Sequence, residues 1–106
     1  MAYEDRQLDA LGDPTRRAVL ARLLAGPRSV VEIARELPIS RPAVSQHLRI
    51  LKDAKLVSDR AVGNRRFYQL DPEGFETLRE YFEQFWEQAL HAFQRKIDEL
   101  ANEEGQ

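Results

Sequence analysis

Apolar side chains in the first part of the chain recur with the three- and four-residue spacing of short amphipathic helices. Leu8 and Leu11 mark a first helix over residues 5–12. Asp13-Pro14 then supplies an N-cap followed by proline at the first helical position, which starts a second helix. Gly26-Pro27 ends that helix.

Two more short helices, separated by a break of three residues, are predicted within residues 29–54. Ser29 and Glu32 have the spacing of a capping box, in which each side chain bonds the other residue's backbone amide. Pro38-Ile39-Ser40 interrupts the helical pattern, and Ser40 can cap a fourth helix that runs to about residue 54.

The apolar period changes from helical to extended after Leu56. Two short runs, Val57–Val62 and Arg65–Leu70, flank Gly63-Asn64, so residues 56–70 are predicted to form a hairpin with a type II′ turn. Tyr68 and Leu70 are expected to face inward.

A last helix, capped by Asp71, is predicted over residues 72–102. At 1.5 Å per residue it would be about 45 Å long, too long to be covered by the rest of the chain.

Composition limits the classes of protein this chain can belong to. With 106 residues, of which 42% are hydrophobic, residues 1–106 form one domain of mostly helical α+β class. No apolar run is long enough to span a bilayer, and the polar N-terminus does not resemble a secretory signal, which favours a cytoplasmic protein. There is no cysteine, so disulfides and thiolate metal sites are excluded.

Two short helices joined by a tight turn and followed by a hairpin are typical of a helix-turn-helix with a β-hairpin wing. The fourth helix is then the recognition helix, with Val44, Leu48 and Leu51 facing the core. Its opposite face and the wing supply side chains that suit phosphates and base edges. The predicted DNA-binding residues are Arg41, Pro42, Ser45, Gln46, His47, Arg49, Arg60, Asn64, Arg65 and Arg66.

The net charge of −2 hides a basic segment in the middle of the chain. Residues 41–70 carry seven basic and two acidic side chains, whereas residues 71–106 carry three basic and ten acidic ones. Such a basic segment can attract a polyanion locally, although clustering of ordinary surface charge gives the same pattern.

Three of the basic side chains allow two interpretations each. His47 lies at the boundary between the two faces of the fourth helix, where it could bond DNA or pack inside the protein. Arg16 and Arg17 could contact phosphate or bond across the edge of the core.

Four segments of the chain carry a family resemblance. They are Ala10-Leu11-Gly12-Asp13-Pro14-Thr15-Arg16-Arg17, Val30-Val31-Glu32-Ile33-Ala34, Ser40-Arg41-Pro42-Ala43-Val44-Ser45-Gln46-His47-Leu48-Arg49-Ile50-Leu51 and Gly63-Asn64-Arg65-Arg66-Phe67-Tyr68-Gln69-Leu70. Together they resemble the ArsR family of bacterial winged-helix repressors. The resemblance implies a homodimer on operator DNA, with the first and last helices at the subunit interface.

Many members of this family sense metals, and here the sequence departs from the pattern. The segment 29–37 lacks the cysteines of the third-helix metal motif, and the last helix has a single histidine, His91, four residues after Glu87. One imidazole and one carboxylate per chain do not complete a tetrahedral site unless a partner chain supplies further ligands. We therefore expect no metal and no other cofactor.

The last helix carries an aromatic stripe that needs a partner. Part of it must cover the core, and the remainder would be an exposed apolar patch on a monomer. A twofold dimer would bury it and would place two recognition helices about 34 Å apart, in successive major grooves. The predicted interface residues are Leu8, Leu11, Phe82, Phe85, Trp86, Ala89, Phe93 and Ile97.

The leading hypothesis is a homodimeric, sequence-specific transcriptional regulator that represses from a palindromic operator. The alternative is a winged-helix protein-interaction module that binds an acidic protein. No catalytic set of side chains can be assembled, so an enzyme is not expected. The sequence identifies no effector ligand.

Overall fold

A computed structural model describes residues 3–105, with Tyr3 described by its backbone only. Its elements in chain order are α1 (Tyr3–Leu11), α2 (Pro14–Ala21), α3 (Val30–Glu36), α4 (Arg41–Asp53), β1 (Val57–Val62), β2 (Arg65–Leu70) and α5 (Pro72–Glu104). The predicted fold class is confirmed: helices surround a small core, and one antiparallel hairpin projects from it.

Side chains that the sequence marks as caps start the short helices. The Asp13 carboxylate accepts hydrogen bonds from the backbone amides of Thr15 at 2.8 Å and Arg16 at 3.2 Å. These hydrogen bonds, chiefly the one from the Arg16 amide, lower the pKa of Asp13, although burial acts to raise it. Ser29 and Glu32 form the predicted capping box, with bonds of 3.1 and 3.3 Å. Short helices gain much of their local stability from such caps.

The core lies where α2, α3 and the inner face of α4 meet. Val44, Leu48 and Leu51 on α4 are completely buried, as the helical period predicts. Every helix and the hairpin contribute to this core, whose other buried apolar members are Ala10, Val19, Leu20, Leu23, Ile33, Ala54, Leu56, Val57 and Leu78.

The connection between α2 and α3 contains a pairing that the sequence did not predict. The regular helix ends at Ala21, and the chain continues to Gly26 in tight turns with bonds three residues apart. The Arg28 and Tyr68 backbones then exchange two hydrogen bonds of 2.9 and 2.8 Å, so residue 28 adds a one-residue strand beside β2. This pairing attaches the hairpin to the start of α3.

The hairpin has the predicted strands and turn. Val57 pairs with Leu70 and Val62 with Arg65. Gly63 has φ of +63° and Asn64 does not have positive φ, which is the type II′ combination. Tyr68 and Leu70 pack against the core, in agreement with the sequence prediction.

The first turn of α5 docks closely on the end of α4. Lys55 adopts φ of +64°, and the Leu56 amide donates a hydrogen bond of 2.9 Å to the Leu51 carbonyl. These two features close α4 in a Schellman turn. A Cβ at Gly74 would lie 1.5 Å from the Lys55 carbonyl oxygen, so only glycine fits there. The side-chain amide of the buried Gln7 of α1 donates a hydrogen bond of 2.9 Å to the Gly74 carbonyl. Three segments thus meet at Gly74.

Beyond Leu78, α5 leaves the rest of the protein. Each residue from 79 to 105 is exposed, and the chain measures 73 × 26 × 26 Å along its principal axes. No described helix is both long enough and apolar enough to span a membrane.

Candidate nucleic-acid interface

The outer face of α4 is polar and open to solvent. It lies opposite the buried residues Val44, Leu48 and Leu51, which hold the helix on the core. We call it the recognition face, and its members are Arg41, Pro42, Ser45, Gln46 and Arg49, all exposed. Arginine bonds guanine or phosphate, glutamine bonds adenine and serine bonds either base or phosphate, so this face has the groups that major-groove recognition requires.

The wing, defined as β1, β2 and the turn between them, divides its arginines between two faces. Successive strand residues point to opposite sides. Arg60 and Arg65 therefore share one face, and Arg66 lies on the other face with Asp59 and Tyr68. The exposed members of the predicted set on the wing are Arg60, Asn64, Arg65 and Arg66.

Asp59 connects the recognition helix to the wing. Its side chain is only 9% exposed, and its two oxygens accept from different cations: Lys52 Nζ at 2.8 Å and Arg66 Nη1 at 2.7 Å. The hydrogen bond from Lys52, joined by that from Arg66, holds the pKa of Asp59 below its usual value although burial opposes the shift. The predicted DNA-binding residues include Arg66 but neither Lys52 nor Asp59. Their connection depends on the strand register and on where α4 ends.

The wing tip lies beside the start of α3. A shallow groove there is lined by Ser29, Val30 and Val31 on one side and by Asn64, Arg65 and Arg66 on the other. The Arg65 charge is close enough to contribute to the lowered pKa of Glu32, which is caused chiefly by hydrogen bonding to Ser29. The structure therefore brings the wing tip next to the helix-turn-helix.

The structure shows intramolecular hydrogen bonds for two of the three ambiguous basic residues. Arg16 Nη1 donates a hydrogen bond of 3.1 Å to the Ala10 carbonyl, and Arg17 Nη1 donates one of 2.6 Å to the Leu11 carbonyl. Both therefore satisfy the free carbonyls at the C-terminus of α1, the intramolecular role that the sequence had left open. His47 is half-buried, with a buried Nδ1 that has no bonding partner among the described residues. Its contact with DNA stays a prediction.

The predicted dimer residues fall into two groups. Leu8 and Leu11 are partly buried against the core of their own chain. The large apolar side chains of α5 are instead in solvent: Phe85 is 58% and Trp86 is 65% exposed. We call this surface the α5 stripe, and its members are Phe82, Phe85, Trp86, Ala89, Leu90, Phe93, Ile97 and Leu100. Leu90 and Leu100 were not among the predicted interface residues, although Leu90 follows Trp86 by one helical turn.

No group of three or more metal-binding side chains comes together among residues 3–105. His91 is exposed on α5. The absence of metal from the function stays an expectation based on the sequence.

Comparison with known proteins agrees with this geometry. Residues 11–60 match a family described as a helix-turn-helix domain. The chain is 55% identical over 94 residues to the HTH-type transcriptional regulator Rv2034 of Mycobacterium tuberculosis, covering 89% of this chain and 88% of that protein. It is 30% identical over 82 residues to the arsenical resistance operon repressor of Staphylococcus xylosus, covering 76% and 79% of the two chains.

Two solved structures share the fold along most of their length. The ArsR-like transcriptional regulator from Rhodococcus sp. RHA1 matches with a TM-score of 0.76 and 27% identity, covering 88% of this chain and 91% of that one. The homodimeric winged helix-turn-helix DNA-binding domain Mb0332 from Mycobacterium bovis matches with a TM-score of 0.66 and 27% identity, covering 85% and 83%.

The fold and the exposed polar face of α4 define a winged helix-turn-helix transcriptional regulator. Within that class, the chain belongs to the ArsR family, as its resemblance in four separate segments had indicated.

Proposed function

We propose that this protein is a homodimeric, sequence-specific transcriptional repressor that binds a palindromic operator. The observation that carries the proposal is the recognition face, because short hydrogen-bonding groups and arginines stand exposed on a helix whose other face is completely buried. A helix fixed in this way can present Ser45, Gln46 and Arg49 to base edges in one orientation.

The wing supplies contacts of a second kind. Arg60 and Arg65 are exposed and form no ion pair within 4 Å among the described residues. Such cations neutralise phosphates, which strengthens binding to any sequence and places the protein on the duplex. In the proposed complex, the recognition face therefore selects the sequence and the wing contributes affinity.

The α5 stripe supports the homodimer. Eight neighbouring apolar positions on one helix remain in solvent, and soluble proteins rarely leave a patch of this kind uncovered. A second copy of α5 presents the same surface, so a twofold pairing would bury both stripes. A structurally similar domain from Mycobacterium bovis is homodimeric.

Repression, rather than activation, is proposed from the relatives. The matched protein of Staphylococcus xylosus is named as a repressor of an arsenical resistance operon. This chain lacks every cysteine, so we propose that it does not respond to arsenic or other metals through thiolates.

The decisive experiment is footprinting on the DNA upstream of the protein's own gene, followed by affinity measurements on the protected site at several salt concentrations. The expected result is a protected palindrome and an affinity that falls steeply as salt increases, because phosphate contacts release counterions. A salt-independent affinity, or protection without twofold symmetry, would overturn the proposal. Strong capture of an acidic protein without any shift of DNA would favour the protein-interaction module.

A further inference from the structure

Two of the cations at the proposed DNA surface are already engaged within the protein. Lys52 lies in the last turn of α4 and Arg66 lies on the wing, and each is about half exposed. Both bond the same carboxylate, that of Asp59, whose side chain is 9% exposed. By contrast, Arg41, Arg49, Arg60 and Arg65 form no ion pair within 4 Å in the part of the chain that the structure describes.

The position of Asp59 explains why it can bond both cations at once. It lies on β1 opposite Tyr68, on the side of the hairpin that packs against the core. Tyr68 is itself fixed by two backbone bonds to Arg28. Asp59 therefore occupies a rigid part of the wing, and the longer Lys52 and Arg66 side chains reach toward it from the recognition helix and from nearer the wing tip.

The ion pairs of Asp59 reduce the positive charge of the proposed DNA surface. The three groups together carry a net charge of +1, whereas Lys52 and Arg66 without Asp59 would carry +2. Their bonds to Asp59 also fix the directions of both side chains. Two flexible cations would instead follow phosphates on any sequence, which increases non-specific binding more than specific binding.

We propose that Asp59 is a positioning residue that sets the specificity of DNA binding. It holds Lys52 and Arg66 in one arrangement and removes one positive charge from the surface that DNA approaches. The assignment rests on the proposed function, since it concerns how the same surface discriminates between operator and other DNA.

The test compares Asp59→Asn with the wild type on a short duplex of random sequence and on the footprinted operator. One additional phosphate contact steepens the slope of log affinity against log salt by about 0.9. The ratio of variant to wild-type affinity for random DNA should then be about 3- to 4-fold larger at 50 mM than at 200 mM salt. The preference for operator over random DNA should fall.

Asp53→Asn is the matched control. Asp53 is exposed at the end of α4 and has no ion pair among the described residues, so its replacement changes the net charge by the same amount without releasing a cation. Its salt slope should stay near that of the wild type. Equal slopes for Asp59→Asn and the wild type, or an equal increase in both variants, would overturn the assignment.

A measurement on the unmodified protein applies even if Asp59→Asn does not fold. In side-chain ¹⁵N NMR, adding random duplex should shift the guanidinium signals of Arg60 and Arg65 but leave those of Arg66 nearly unchanged. An Arg66 shift as large as that of Arg65 would contradict the proposal. If the wild type shows no salt-dependent DNA binding at all, the proposed function itself fails, which is a different outcome from these.

Discussion

The contact between Gly74 and Lys55 gives the sharpest structural prediction. Gly74 is the third residue of α5, and its Cα faces the backbone of the turn that ends α4. In Gly74→Ala, the new Cβ would lie 1.5 Å from the Lys55 oxygen and 2.6 Å from the carbonyl carbon. Both atoms belong to the backbone, so no change of side-chain rotamer relieves the clash.

The sign of the change in stability distinguishes a steric clash at Gly74 from the effect of helix propensity. Ordinary van der Waals separation begins near 3.4 Å, so α5 would have to move by roughly 2 Å from the end of α4. Overpacking of this kind costs about 1–3 kcal/mol. On an exposed helix the same substitution would instead stabilise the protein by about 1 kcal/mol, because alanine is the better helix former.

Urea denaturation followed by circular dichroism measures the difference. With a slope of about 1–3 kcal/mol per molar urea, a net loss of about 2 kcal/mol lowers the midpoint by roughly 1 M. Protein concentration must be held constant, since a dimer is stabilised by mass action. Gly105→Ala is the control, because its Cβ would make only an ordinary contact of 3.4 Å with Ala101. A Gly74→Ala midpoint equal to or above that of the wild type would contradict the close contact between α5 and the end of α4.

Three further predictions follow from the same structure. Arg49→Ala removes an exposed member of the recognition face and should weaken operator binding by about 1–3 kcal/mol without changing the fold, as measured by fluorescence anisotropy. Trp86→Glu places a charge in the α5 stripe and should shift the protein from dimer to monomer in analytical ultracentrifugation; an unchanged sedimentation coefficient would count against the dimer. The folded-state pKa values of Asp13 and Asp59 lie below their usual value of 3.8, so their stabilisation is present above that pH and is lost as pH falls through the folded values. Acid unfolding of the wild type and of Asp59→Asn can be followed by circular dichroism. The free energy of unfolding should decrease less steeply with falling pH in Asp59→Asn than in the wild type.

The local elements were predictable because each has a signal confined to a few residues. The caps at Asp13 and Ser29 and the Gly63-Asn64 turn depend on geometry within four residues of chain. The buried side of α4 follows from the 3.6-residue period alone. For the same reason, the exposed Ser45, Gln46 and Arg49 could be identified as candidate DNA contacts before any tertiary arrangement was known.

Three features are therefore determined by the sequence: the order of elements, the face of α4 that is open to solvent, and the apolar stripe of α5 that predicts a partner. Which distant groups come into contact depends on the packing of the whole chain. Asp59 lies seven residues from both Lys52 and Arg66, and Gly74 lies far along the chain from Gln7, so no local period signals these contacts. These contacts arise because packing of the core fixes where α4 ends and the position of the hairpin. That packing, and not the separation along the sequence, determines which residues lie close together in space.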